Sequence, residues 1–337
     1  MQSHYIVFPE PGRVEVREET VSPPGPGEIL CEAQKSLISI GTEMHCLRGV
    51  FDPGTNWADW VHYPFRPGYS MAARVIAVGK GVTRFREGDR VTGWATHQSL
   101  FKAAPEGYCP IPDGVTDGDA TWSSLAVTTQ LAVRRAEHKL GETVGVVGLG
   151  ILGQLVVQYL ALQGARTIAA IDPVQARLEM ATAHGATHAL AMSVQACREA
   201  VAEITRGRML DAVYEVTGIP EALAPCIPLV RKLGRVILLG DTPTPTQQRL
   251  GPGVVSNSVG ILGIHGTMVP EHASEFNPWT RDEAVALFFD YLLQGRMRVS
   301  DLVTHRFAPR EAPAVYQRLI LDRSPVMGAV FDWSQAG

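Results

Sequence analysis

The feature that most constrains this chain is a glycine cluster near its middle, Gly148-Leu149-Gly150-Ile151-Leu152-Gly153. The apolar run Val144–Val147 leads into it and an amphipathic stretch follows. A G-x-G-x-x-G pattern alone is a weak signal. Here it closes an expected strand, opens an expected helix, and is followed at the end of the next apolar run by Asp172, nineteen residues beyond Gly153. Each part has a physical task in gripping a dinucleotide. Gly148 permits a tight turn, Gly150 admits the pyrophosphate to the backbone, and Gly153 lets the helix lie close to the sheet. The helix start at Ile151 and Leu152 offers unpaired N–H groups and partial positive charge to the phosphates.

The surrounding texture agrees. From Thr121 onward, apolar runs alternate with stretches of helical period. WSSLAVTTQLAVRRAEH reads as a helix, GETVGVV as a strand, ILGQLVVQYLALQG as a helix and TIAAID as a strand. PVQARLEMATAHG, HALAM, VQACREAVAEITRG and LDAVYEVTG continue the alternation. IPEALAPCIPLVRKLG is expected as a further helix, then RVILLGD and VGILGIHG as strands. Such alternation predicts a doubly wound parallel sheet covered by helices on both faces. The first ~120 residues read differently, as short strands (HYIVF, RVEVREE, EILCEA, ARVIAVG, DRVTGWA) cut by Pro and Gly. The mixed texture returns in the tail with DEAVALFFDYLLQG, LVTHRF, EAPAVYQRLI and GAVFDW. We therefore expect a β-rich domain at 1–124 and 269–337 with a dinucleotide-binding domain at 125–268 inserted into it.

Bulk properties remove several function classes. A net charge of −4 gives no reason to expect nucleic acid or an anionic membrane as partner. No apolar run approaches the ~18–20 residues of a membrane span, and MQSHYIVFPEPGRVEV lacks the pattern of a secretory leader. The five cysteines, Cys31, Cys46, Cys109, Cys197 and Cys226, are widely spaced with no C-x-x-C pair. They read as reduced thiols in a cytoplasmic protein rather than as a disulfide framework or a Cys-rich zinc site.

Over nearly its whole length the chain resembles the medium-chain dehydrogenase/reductases. The motifs are PGPGEILCEA, RPGYSMAARVIAVGKGVTRFREGDRV, IPDGV, GLGILG, EVTG, LGRVILLG and LVTHRF. Within that superfamily, SLISIGTE and PFRPGY resemble the bacteriochlorophyllide a dehydrogenase-like members. The resemblance implies a GroES-like catalytic domain, a Rossmann domain, a nicotinamide cofactor and a homodimer or homotetramer. By family position Thr217, Gly240, His265 and Gly266 line the cofactor groove. Asp172 favours NAD over NADP, because a carboxylate repels a 2′-phosphate, and Arg177 either sits beside the same ribose or is a solvated helix residue.

The resemblance breaks where relatives bind zinc. Ile40 stands in place of the ligand cysteine, Tyr69 in place of the ligand histidine, and Ser124 near the expected third ligand. The four-cysteine structural lobe is missing. A catalytic zinc needs three protein ligands, so we expect none here. Some side chain must then serve the substrate oxygen in the metal's stead. Tyr69 is the first candidate, as donor or, with a lowered pKa, as acid/base. Thr42 and His45 match a family relay that passes a proton by way of the cofactor ribose. Glu43 matches a supporting acid that orients a neighbour or pairs with Arg48. His97 is the second candidate for acid/base. Against these stand structural alternatives: Tyr69 as an aromatic filler, and His45, His97 and His265 as ordinary structural or surface histidines. The expected activity is interconversion of a secondary alcohol (a polyol, cyclitol or hydroxyalkyl group) and a ketone. Reduction of a conjugated C=C bond, as by a zinc-free enoyl or quinone reductase, is the alternative. A sensor that binds cofactor without turnover is the third.

Overall fold

The computed structural model describes residues 1–335, and the chain divides into two compact units, 1–124 with 285–337 and 125–284. In the first unit, β1 (Gln2–Val7) pairs antiparallel with β2 (Glu15–Thr20). Then come β3 (Ile29–Leu37), α1 (Ile40–Arg48) and a short α2 (Asn56–Trp60) inside the aromatic-rich loop. β4 (Met71–Val78), β5 (Arg90–Gly93), β6 (Leu100–Ala103), β7 (Tyr108–Pro110) and the four-residue α3 (Asp117–Ala120) follow. β3 is the spine of this unit. Its residues Ile29, Leu30, Cys31, Ala33 and Leu37 are buried, and it pairs antiparallel with β4 and β6.

The second unit opens within α4 (Ser123–Arg135). It continues through β8 (Thr143–Val147), α5 (Ile151–Leu162), β9 (Thr167–Ile171), α6 (Gln175–Ala183), β10 (His188–Leu190) and α7 (Arg198–Ile204). β11 (Leu210–Glu215), α8 (Leu223–Cys226), β12 (Val230–Leu238) and β13 (Gly260–Gly263) complete it. Its six strands are all parallel and lie in the order β10-β9-β8-β11-β12-β13. That is the doubly wound order with the chain reversing direction between β8 and β11, the crevice where such sheets take ligands.

One element departs from expectation. The helix predicted over residues 219–234 shrinks to α8 flanked by two turns of 3-10 helix, and β12 already starts at Val230. Pro225 and Pro228 supply no N–H for an i→i−4 ladder. Leu233 sits at φ 59°, a left-handed conformation that no helix accommodates.

The chain returns to the first unit within α9 (Arg281–Leu293), at Val285, where the sequence reading placed the return near residue 269. Residues 269–284 stay with the second unit through side-chain contacts. Arg134 stacks over Trp279 at 3.3 Å, and Gln130 donates to the carbonyl of Ala284 at 2.7 Å. The first unit then closes with β14 (Val303–Phe307), α10 (Ala312–Leu321) and β15 (Gly328–Asp332). β15 joins β3, giving the order β14-β15-β3-β4-β5-β7. The core of this unit gathers Ile6, Phe8, Met44, Leu47, Val75, Tyr316 and Phe331. All five cysteines are buried free thiols. Among the described residues no helix is long and apolar enough to cross a membrane.

Candidate active site and dinucleotide groove

In the second unit, the glycine turn carries the geometry its sequence implies. Gly148 has φ 90°, and a Cβ there would meet Thr217 Cγ2 at 2.7 Å; a Cβ on Gly153 would lie 2.1 Å from the Gly148 carbonyl oxygen. Neither site admits a side chain. Gly150 is the N-cap of α5 and has no side chain with which to cap it, so the N–H groups led by Ile151 and Leu152 are left for a ligand. Asp172 ends β9, accepting from the Leu149 N–H (2.8 Å) and the Val174 N–H (2.9 Å), with Arg177 3.7 Å away. A carboxylate has about four acceptor positions, so two bonds fix Asp172 without exhausting it. Gly240 lies against Gly218, and Gly266 against Thr128. His265 is exposed and its ring bonds Thr267 Oγ1 at 2.7 Å.

Glu215, at the end of β11, is a residue the sequence reading passed over. It is fully buried and bonded by the N–H and hydroxyl of Thr217, and among the described residues its Oε2 has no hydrogen-bond partner within ordinary geometry. Burial pushes its pKa up to about 7, against the opposing hydrogen bonds from Thr217 and Gly218. The folded state therefore holds a proton between about pH 4.5 and 7 that the unfolded chain has released. Stability falls as pH rises through that window and levels off above it. At ~1.4 kcal/mol per unit the effect is roughly 3 kcal/mol. Glu215→Gln should gain on the wild type by about that much between pH 5 and pH 8 in denaturant midpoints. An offset that is the same at both pH values would refute the assignment. The signal for Glu215 was in the sequence, as the acid of EVTG that follows the apolar run Ala212–Tyr214 at the end of its strand.

The first unit holds a separate cluster of candidate residues. Tyr69 lies in the loop before β4, half-buried, with its ring 6.1 Å from that of Trp94. Its phenol oxygen is 2.5 Å from Ser39 Oγ and 3.4 Å from Thr42 Oγ1, and Ser124 donates to the Tyr69 carbonyl at 3.1 Å. Burial raises the Tyr69 pKa. The shift is the reverse of the lowering expected for an acid/base, and the resting group is a neutral phenol that can donate.

Behind Tyr69 runs a buried polar chain. Glu43 on α1 accepts from the Ser39 N–H (2.7 Å), from the Tyr316 hydroxyl and, at 3.2 Å, from His97 Nε2. His97 Nδ1 meets Ser36 Oγ at 2.7 Å, and Ser36 accepts from Trp333 Nε1 at 2.9 Å. Indole can only donate and carboxylate can only accept. Trp333 therefore donates to Ser36, and His97 Nε2 donates to Glu43. One expectation, His97 as acid/base, is corrected. His97 has no exposed surface and both ring nitrogens are engaged, so it braces Glu43 and offers substrate no proton. Of the two roles expected of Glu43, it takes the orienting one, turned inward to Ser39, His97 and Tyr316, and makes no ion pair with Arg48 among the described residues.

His45 is corrected as well. Burial, with Arg323 and Arg48 adding to it, pulls its pKa down to about 4, and its ring stands edge-on to Trp57 at 5.5 Å. It is neutral at physiological pH and does not titrate near neutrality as a relay histidine would.

Two domain families match. The alcohol dehydrogenase GroES-like domain matches residues 25–157, and the zinc-binding dehydrogenase domain matches residues 152–280. The chain belongs to the medium-chain, alcohol dehydrogenase-like superfamily. It is an oxidoreductase of the medium-chain type. An L-threonine 3-dehydrogenase of Burkholderia mallei is 24% identical over 345 residues, covering 93% of each chain. A dehydrogenase of Sinorhizobium meliloti solved with NADP bound has a TM-score of 0.81 at 19% identity, over 98% of this chain and 99% of that one. A quinone oxidoreductase of Pseudomonas syringae has a TM-score of 0.77 at 20% identity, again over 98% and 99%.

The second domain family is named for zinc, so the donor set has to be tested against it. Ile40 is a core aliphatic residue, Tyr69 a neutral phenol, and Ser124 spends its hydroxyl on a carbonyl. Cys46 is buried, which raises its thiol pKa well above the ordinary range. Among the described residues no three His, Cys, Asp or Glu side chains converge as a metal-holding group. These residues do not fit a zinc ion.

Proposed function

We propose that the chain is a zinc-independent, nicotinamide-dependent oxidoreductase that interconverts a secondary alcohol and a ketone, with the Tyr69 phenol serving the substrate oxygen. The observation that carries this reading is the hydroxyl cluster of Tyr69, Ser39 and Thr42, in which Tyr69 takes the position that the resemblance gives to a ligand histidine. A neutral phenol donates to a carbonyl oxygen, stabilises the negative charge that develops there, and completes the transfer of a proton. The nicotinamide, when bound, supplies or accepts the hydride. The Gly148–Gly153 turn and the first turn of α5 hold the pyrophosphate, and Asp172 takes the adenosine ribose. Thr217, Gly240, His265 and Gly266 line the remainder of the groove. Asp172 favours NAD, with Arg177 the side chain nearest to offsetting its charge.

The substrate class we favour is a polyol, a cyclitol or a hydroxyalkyl group. Similarity to a protein named L-threonine 3-dehydrogenase supports alcohol oxidation. The likeness to a quinone oxidoreductase keeps conjugated C=C reduction as the second reading, since the same phenol can serve an enolate oxygen. We further propose a cytoplasmic homodimer or homotetramer. The reduced cysteines support the compartment, and the unpaired outer edge of β13 supports self-association.

Product analysis separates the readings. With reduced nucleotide and a panel of ketones and enones, we expect alcohols from ketones and a kcat/KM for NADH at least tenfold above that for NADPH. Saturated ketones from enones as the sole products would transfer the assignment to the second reading. An NADPH preference would overturn the cofactor choice, and nucleotide binding without turnover would leave a sensor.

A further inference from the structure

We infer that Ser39 is a positioning residue for Tyr69: its hydroxyl donates to the phenol oxygen and so directs the Tyr69 proton outward, to the substrate. The inference rests on the role proposed above for Tyr69.

Three observations carry it. Ser39 is the N-cap of α1, a position where serine ordinarily uses its oxygen to accept from the N2 or N3 amide, an interaction worth ~1 kcal/mol. Here it makes no such bond; the hydroxyl is turned away from its own helix and lies 2.5 Å from the Tyr69 oxygen. The diversion is held in place from behind. The Ser39 N–H is clamped by Glu43 Oε1, and Glu43 is itself fixed by Tyr316 and His97.

The third observation sets the direction of the bond. Ser39 is 4% exposed, and among the described residues its hydroxyl has Tyr69 as its sole partner. Were Tyr69 the donor, the Ser39 proton would be buried with no acceptor, which costs about 1–3 kcal/mol. With Ser39 as donor, both hydroxyls are satisfied once a substrate oxygen accepts from Tyr69. Thr42 Oγ1, at 3.4 Å, is too far to hold that proton firmly.

The chemistry balances. In the reducing direction a bound reduced nicotinamide would supply the hydride to the carbonyl carbon and be left oxidised; on this chain's side the Tyr69 O–H bond breaks and its proton forms the new O–H bond of the alcohol. Tyr69 is left as a phenolate that still accepts from Ser39, and it regains a proton from solvent. The Ser39 bond favours that phenolate, and it opposes the upward shift that burial imposes on the phenol.

The test pairs Ser39→Ala with Ser39→Thr, which keeps the hydroxyl. One readout needs no turnover: the pH titration of the Tyr69 Cζ resonance in tyrosine-labelled protein, assigned by its loss in Tyr69→Phe. The other is the pH profile of kcat. In Ser39→Ala the Tyr69 ionisation should move up by about one pH unit and kcat should fall about tenfold, with KM for the nucleotide unchanged. Ser39→Thr should restore both. An unmoved Tyr69 ionisation in Ser39→Ala would overturn the inference. So would a shift that threonine does not reverse, because lost packing and not the lost hydroxyl would then be its cause. If Tyr69→Phe keeps full activity, the catalytic reading of Tyr69 fails instead, and the resonance still decides whether Ser39 donates.

Discussion

Tyr69→Phe should lower kcat by about a hundredfold to a thousandfold while leaving KM for the nucleotide near the wild-type value. Removing one preorganised donor to a developing oxyanion costs about that much in kcat. The substitution keeps the ring against Trp94 and deletes only the group that reaches the substrate oxygen. Nucleotide affinity should hold because Gly148–Gly153 and Asp172 belong to the other unit. The variant also strands the buried Ser39 hydroxyl, so a stability loss of ~1–3 kcal/mol accompanies the loss of rate. Steady-state kinetics checks both constants. A kcat within threefold of wild type would return Tyr69 to the role of aromatic filler.

The largest stability effect is expected from Glu43→Ala. Glu43 is 1% exposed and receives three donors, from Ser39, Tyr316 and His97. Alanine leaves all three buried without an acceptor. Breaking a buried, hydrogen-bonded pair by removing one partner costs ~3–5 kcal/mol, which for a unit of this size is a fall in melting temperature on the order of 10 °C. Activity should fall with it, since the Ser39 N–H loses its clamp. A melting temperature within about 2 °C of wild type would show that the network carries little of the fold.

How much of this was legible in the sequence depended on the reach of each interaction. The Rossmann unit was readable because its determinants are local. The Val144–Val147 run, the three glycines and Asp172 lie within thirty residues and each has a short-range geometric task. The 219–234 segment was misread because its apolar spacing suited a helix, while Pro225, Pro228 and the left-handed Leu233 decided otherwise. In the first unit, SLISIGTE marked the site but not its wiring. Ser39 and Glu43 are four residues apart at a helix start, a spacing close to a capping box, and that was the one available sign that Ser39 mattered. Tyr316 and Trp333 reach the same network from residues 273 and 297 positions away from their partners, Glu43 and Ser36. No periodicity reports such pairings. For His97 the sequence left two roles open, acid/base or structural, and could not choose between them, because its burial against Phe331, whose ring packs edge-on to it, joins residues far apart in the chain.

The account holds that hydroxyl chemistry centred on Tyr69 takes the place of a metal in this chain. A direct test is zinc content measured together with activity, before and after exhaustive dialysis against a strong chelator. The prediction is far less than one zinc per chain and an unchanged kcat. Stoichiometric zinc whose removal abolishes turnover, and whose return restores it, would contradict the account.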